Sequence, residues 1–285
     1  MLILAATLAT LIGGSLGLLG GGGSILTLPM LVYVLGLAPK DAIAASLFVV
    51  GVTSAVGVVA HARAGRVAFR VGLTFGVAGM AGAYAGGRVA RFVPAELLLA
   101  GFAVMMLATS IGMLRGRRAD SGSGAPAGLP KIAALGLAAG AVSGMVGAGG
   151  GFIVVPALAL VGGLPMPRAI ATSLLVIALQ SLAGFAGHAA HAHLDPLLLG
   201  VVTLAAVVGS VAGAAAARRV RPETLRVSFG WLVLAMGCFL LAKQLPVELT
   251  RHVHLPSLAA GAALVVAIWL LRVAGRARAP HPPTT

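Results

Sequence analysis

Two stretches of the sequence carry polar side chains in one repeated pattern. Ser46, Thr53, Ser54, Gly57 and His61 form the first, and Ser173, Gln180, Ser181, Gly184 and His188 the second, at offsets of 0, 7, 8, 11 and 15 residues. At about 100° per residue these positions fall within roughly a 100° arc of a helix. The other faces of both stretches are Ala, Val, Leu, Ile and Phe. Each stretch is therefore a narrow hydrogen-bonding stripe on an otherwise apolar helix. In lipid, Ser, Thr and Gly on one face let helices approach closely. That role accounts for Gly57, Gly184 and the run Gly72, Gly76, Gly79, Gly82 and Gly86. Gln180, His61 and His188 cost more to bury in hydrocarbon and are candidates for a polar pathway.

A second chemistry lies in two glycine-rich runs, Gly20, Gly21, Gly22, Gly23 with Ser24, and Gly147, Gly149, Gly150 and Gly151. Glycine costs about 1 kcal/mol per residue in a helix, and Pro29 and Pro156 follow closely. Each run is read as the break in a helix, with a half-helix starting after it at Ser24 or Gly151. Half-helix amino termini carry partial positive charge and bind anions without a lysine. Two such breaks would make an anion site at mid-membrane; the alternative is that they are hinges, or places where another helix passes. The strand–turn–helix setting of a nucleotide loop is missing, which excludes that reading.

The six acidic residues, Asp41, Glu96, Asp120, Asp195, Glu223 and Glu248, all fall near segment ends or in loops. A cation pathway or an acidic proton relay would want a carboxylate at mid-membrane. If protons are coupled, His61 and His188 are the titrating candidates. The group His188, His191, His193 and Asp195 has a metal-like composition, but the first half offers only His61 at the equivalent place, so these read as loop histidines and no metal is expected.

The elements that must position these residues are membrane spans. Apolar residues make up 59% of the chain and charged ones 9%, too few to cover a water-facing surface. Runs long enough to cross a bilayer occupy 2–35, 42–60, 67–90, 95–114, 129–162, 166–189, 194–217, 223–245 and 255–273. No basic residue precedes the first run and no clean cleavage site follows it, so a retained segment is expected rather than a signal peptide. The single cysteine, Cys238, allows no intramolecular disulfide.

Shifted by 127 residues, the sequence matches itself: Pro29 falls on Pro156, Ser46 on Ser173, His61 on His188, Gly82 on Gly209 and Gly86 on Gly213. One constant offset over this length marks two copies of one unit, 1–114 and 129–245, joined by a polar linker over 115–128. A further helix over 246–274 and a disordered basic, proline-rich tail over 275–285 complete the chain. If all nine segments cross once, the 20 Lys and Arg divide 11 to 9 between the two sides. If the first segment of each copy enters and returns, they divide 15 to 5, with only Lys40, Arg88, Arg91, Lys243 and Arg251 on the poorer side. The positive-inside rule favours the second threading, in which the halves are inverted and the carboxyl terminus and linker are cytoplasmic.

The doubled sequence of glycine run, apolar residues and Pro29 or Pro156, then Ala44-Ala45-Ser46 or Ala171-Thr172-Ser173, the polar stripe and His, resembles the sulfite exporter TauE/SafE family of bacterial membrane permeases. The resemblance covers nearly the whole chain. It implies movement of sulfite, sulfonates or related small anions across the inner membrane. The family pattern often has Gly four residues after the His; Gly65 fits and Ala192 departs, and Ala45 replaces the Thr that Thr172 retains.

The expectation is an all-α polytopic protein of the inner membrane. It has two inverted repeats, each a broken glycine-rich first helix followed by three transmembrane helices, and a C-terminal helix. It would be a secondary transporter, an exporter by the family's name, using no cofactor. The substrate-binding candidates are Gly20–Gly23, Ser24, Gly147, Gly149, Gly150, Gly151, Ser46, Thr53, Ser54, Thr172, Ser173, Gln180 and Ser181. His61 and His188 would gate or couple protons. The partners are the bilayer, a small anion, protons as an optional coupling ion and optionally further copies of the chain, with no nucleic acid. The alternatives from other classes are a non-transporting membrane scaffold and a histidine-dependent membrane enzyme.

Overall fold

Proline and aspartate set several helix starts. Pro39 and Pro167 stand in the first turns of their helices, where a missing N–H costs nothing. Asp195 accepts the backbone N–H groups of Leu197 (2.9 Å) and Leu198 (3.4 Å), which caps another. A computed structural model describes residues 2–19, 24–114, 128–147, 150–160, 162–217 and 222–244. Among these the chain is helical and has no strand. The helices are α1 (Leu2–Leu19), α2 (Ser24–Val34), α3 (Pro39–Arg63), α4 (Phe69–Ala90), α5 (Ala95–Leu114), α6 (Leu129–Val146), α7 (Gly151–Leu160), α8 (Met166–His188), α9 (Pro196–Ala217) and α10 (Pro222–Gln244). Gly20–Gly23, Gly149, most of the linker, the expected helix over 246–274 and the tail lie outside the described residues.

Four of these helices are long and apolar enough to cross a membrane: Pro39–Arg63, Leu129–Val146, Pro167–His191 and Pro196–Ala216. Of them α3 and α8 are the inner pair, with 67% and 61% of their apolar windows buried, against 39% for α6 and 33% for α9. They cross antiparallel, Leu47 packing on Gly184 and Leu174 on Gly57. The stripe-bearing helices thus lie at the centre, with Ile43, Leu47, Leu174, Val176 and Ile177 fully buried around them.

The outer layer is assembled on glycine. Bare Cα atoms on α6 and α4 let the two backbones touch: Gly140 lies against the Gly79 carbonyl, Gly144 against Ala83, Gly82 against Leu137 and Gly86 against Ala141. Between α1 and α9 the same seam recurs, Gly13 against Ala206, Gly17 against Ser210, Gly209 against Thr10 and Gly213 against Gly14. Each contact of the second seam is one of the first shifted by 127 positions, with the halves exchanged. Positions rise together along both seams, so α4 runs parallel to α6 and α1 to α9. The halves are interlaced, because α1 packs on α9 of the other half and α6 on α4 of the other.

The second glycine run is a sharp turn. Gly147 takes φ +77°, and its N–H donates to the Ser143 carbonyl (2.9 Å), which closes α6 with a left-handed residue. Gly150 takes φ +68°, and its carbonyl accepts the N–H groups of Ile153 and Val154 at the start of α7. On the other side of the molecule, α2 changes from 3-10 through α to π turns around Pro29. α5 and α10 form a flanking pair, Gly237 meeting Met106 and Leu107.

Candidate functional site

Hydroxyls on apolar helices ordinarily satisfy themselves on their own helix, bonding a carbonyl three or four residues back. Thr7, Thr10, Ser15, Thr74, Ser110 and Thr203 all do so here. Most of the central stripe residues do not. Ser46, Thr53 and Ser54 on α3, and Gln180 and Ser181 on α8, are at most 1% exposed. None of their side-chain oxygen or nitrogen atoms has a hydrogen-bond partner. Ser143 on α6 is in the same state. Each buried unpartnered group costs roughly 1–3 kcal/mol, so six such side chains in one interior are a cost that a ligand's own polar atoms would relieve.

Two of the six, Ser143 and Gln180, meet at the turn between α6 and α7. A Cβ placed on Gly150 would lie 2.9 Å from Ser143 Oγ and 3.2 Å from Gln180 Oε1. The Gln180 amide also abuts Gly79 of α4. The amide therefore sits between two glycines, one at the middle of α4 and one at the start of α7, and any side chain at either would displace it. α7 begins beside it, which brings the positive end of a ten-residue helix to the same place. Among the described residues the carboxylates keep away: Asp41 lies in the first turn of α3, Glu96 in that of α5, and Asp195 caps α9.

Other expected residues are engaged elsewhere. Thr172 Oγ1 accepts the Ala68 N–H (2.9 Å), tying the start of α8 to the start of α4, and Ser173 Oγ donates to the Ile170 carbonyl (2.8 Å). Ser24 is buried at the start of α2 and already holds an interaction. Gly147 is filled against Ile43, a packing contact. His188 is 9% exposed, and its Nε2 donates to the Gly144 carbonyl on α6 (2.8 Å), one residue from Ser143. His61 is half-buried in the last turn of α3, at the opposite end of the bundle. No three His, Cys, Asp or Glu side chains among the described residues gather to hold a metal ion. In the group His188, His191, His193 and Asp195, His188 turns inward and the His193 N–H goes to Asp41 Oδ1.

Ser143 was not among the expected residues. Its counterpart 127 positions earlier is Leu16, so the repeat that exposes the stripes conceals it.

The family model described as sulfite exporter TauE/SafE matches residues 3–240. A probable membrane transporter protein of Xylella fastidiosa is 33% identical over 238 residues, covering 81% of this chain and 91% of its own length. Probable membrane transporter proteins of Methanocaldococcus jannaschii and Bacillus subtilis are each 26% identical, over 84% and 81% of this chain. No solved structure matches. The names of the family and of these relatives indicate a membrane transporter rather than an enzyme.

Proposed function

We propose that this chain, which belongs to the sulfite exporter TauE/SafE family, is a secondary transporter that exports a small oxyanion such as sulfite or an organosulfonate. The observation that carries the reading is the set of buried, unpartnered donors at the α3–α8 crossing. Hydroxyls and a primary amide can donate to oxyanion oxygens from several directions, and the start of α7 adds backbone polarity of the right sign. The lack of a carboxylate among them favours an anion over a cation. Sulfur oxyanions are preferred because the family's description names sulfite.

Alternating access between two inverted halves is the proposed mechanism. Its support is geometric. α3 is antiparallel to α8, its copy at the 127-residue offset, and the two glycine seams are related by that offset with the halves exchanged. A two-fold axis through the α3–α8 crossing would produce both relations, and one that lies in the membrane plane would let each half present the site in turn. The exposed cations Arg63, Arg66, Arg70, Lys131 and Arg168 gather at one end, and Lys40, Arg88 and Arg91 lie at the other. The richer end is proposed to be cytoplasmic, in the inner membrane. His188 and His61, near opposite ends, are proposed to gate the two openings or carry a coupled proton.

Purified protein in liposomes, loaded with radiolabelled sulfite, taurine or sulfate, provides the test. Saturable efflux of one of these is expected, and absence of flux for every small anion overturns the reading.

A further inference from the structure

At the cation-poor end of the bundle, α3 begins, α4 and α8 end, and their termini enclose a shallow recess of about 330 Å³, counting the space open to solvent. Its polar walls are Lys40, Arg91, His188 and His191, and its floor includes Gly87 and Gly187. No carboxylate lines it. Asp41 accepts the His193 N–H and Asp195 those of Leu197 and Leu198, both outside the lining. Lys40 Nζ donates to the Arg91 carbonyl (3.0 Å), which fixes the ammonium at the mouth. On the side that the charge bias leaves poor in cations, two of the few cations present share one hollow with two histidines.

One wall of the recess, His188, also reaches the interior. His188 lines the recess, and a Cβ on Gly87 would meet the ring at 3.1 Å, so the glycine lets the ring approach α4 closely. The same ring is bonded through Nε2 to the Gly144 carbonyl, next to Ser143. Eight residues separate His188 from Gln180 on α8, about 12 Å along the helix. The imidazole thus touches both the recess and the α6 turn beside Ser143.

We propose that this recess is a second anion site, a surface antechamber in which Lys40, Arg91 and His191 hold a small oxyanion of the sulfite or sulfate type beside His188. The proposal rests on the transport reading for its place on the substrate's route, though not for binding itself. Cations that line a hollow attract an anion within it at short range, while the buried site selects by hydrogen bonds. In the proposed threading the recess lies on the exit side, so it holds the anion that the buried site has already selected.

The test compares the full-length wild type with Lys40→Gln/Arg91→Gln. Radiolabelled sulfite binding is measured on detergent-purified protein, and sulfite flux in liposomes with the recess facing the labelled side. Expected are a KM and a binding constant both weakened by roughly fivefold or more, Vmax within about twofold, and loss of the wild type's salt dependence, as for removal of exposed charges. Because Lys40 also ties the start of α3 to the end of α4, Arg91→Gln/His191→Gln, which keeps that bond, must move KM in the same direction. Flux with an unchanged KM in both variants overturns the antechamber and leaves the transport reading standing. Lys40- and Arg91-dependent binding without flux in the wild type supports the antechamber and overturns the transport reading. Neither binding nor flux overturns both.

Discussion

Gln180 shows how a residue can be unfavourable for folding and useful at once. Both ends of its amide are buried without a partner, and replacing an unsatisfied polar group by an apolar one of similar shape is neutral or stabilising. Gln180→Leu is therefore expected to hold or raise the melting temperature while lowering anion flux at least tenfold, equivalent to about 1.4 kcal/mol of lost binding. A purely structural glutamine would lose stability instead, and paired thermal-melt and flux measurements separate the outcomes. His188→Leu should do the opposite to stability, since it strips the Gly144 carbonyl of its donor at a cost of roughly 1–3 kcal/mol. At this scale the sequence was only partly legible. Residue type and 127-residue spacing mark Gln180, Ser181, Ser46, Thr53 and Ser54, but they equally mark Ser173, and residue type alone marks Thr172, whose oxygens are used on Ile170 and Ala68. Which hydroxyl is idle depends on side-chain direction and on what lies opposite, and no spacing rule carries that. Ser143 was hidden for a related reason, because its partner position is Leu16.

Among the helices, glycine is the discriminating residue. Gly140→Ala would drive a methyl into the Gly79 backbone carbonyl, which cannot swing aside as a side chain can. Overpacking of this kind costs about 1–3 kcal/mol, whereas Gly101→Ala on α5, with open space around it, should gain up to about 1 kcal/mol of helix propensity. Opposite shifts in melting temperature for the two variants are the expected result, and equal shifts would show that the seams are not backbone contacts. The lengths of α3, α4, α8 and α9 are readable from apolar runs and their flanking prolines. The interlaced packing of α1 on α9 and α4 on α6 is not, since a repeat says that two units are alike and not that they exchange partners. A second element-level difference follows from Ala45. Thr172 ties α8 to the Ala68 N–H at one end of the bundle. Ala68 and Thr172 correspond to Asp195 and Ala45 at the other, and there a small gap lies between Ala45, Val49 and Asp195. Ala45→Thr should add the missing tie to the Asp195 N–H, raising stability by about 0.5–1.5 kcal/mol and slowing turnover if that end must open. Unchanged turnover with raised stability would separate the tie from the transport cycle.

For the molecule as a whole, the charge distribution and the two seams make one demand: the end that carries Arg63, Arg66 and Arg70 should face the cytoplasm, and the end that carries Lys40 and Arg91 should face away from it. Helix directions place the α3–α4 turn and the α8–α9 turn at opposite ends, because α3 and α8 are antiparallel at their crossing. Positive charge near membrane-spanning helices holds a loop on the inner side, so the poorly charged α8–α9 turn should be the exported one. With Cys238 replaced by alanine, exposed positions in the two turns offer single-cysteine reporters, Ala64→Cys in the first and Ala190→Cys in the second. A membrane-impermeant maleimide added to intact cells should label Ala190→Cys and spare Ala64→Cys until the membrane is opened. Labelling of both turns from outside, or of Ala64→Cys alone, would break the link between the charge asymmetry and the threading. It would also put the Lys40–Arg91 recess on the side from which an exported anion arrives rather than the side on which it leaves, so the same two cysteines decide whether that recess loads or releases.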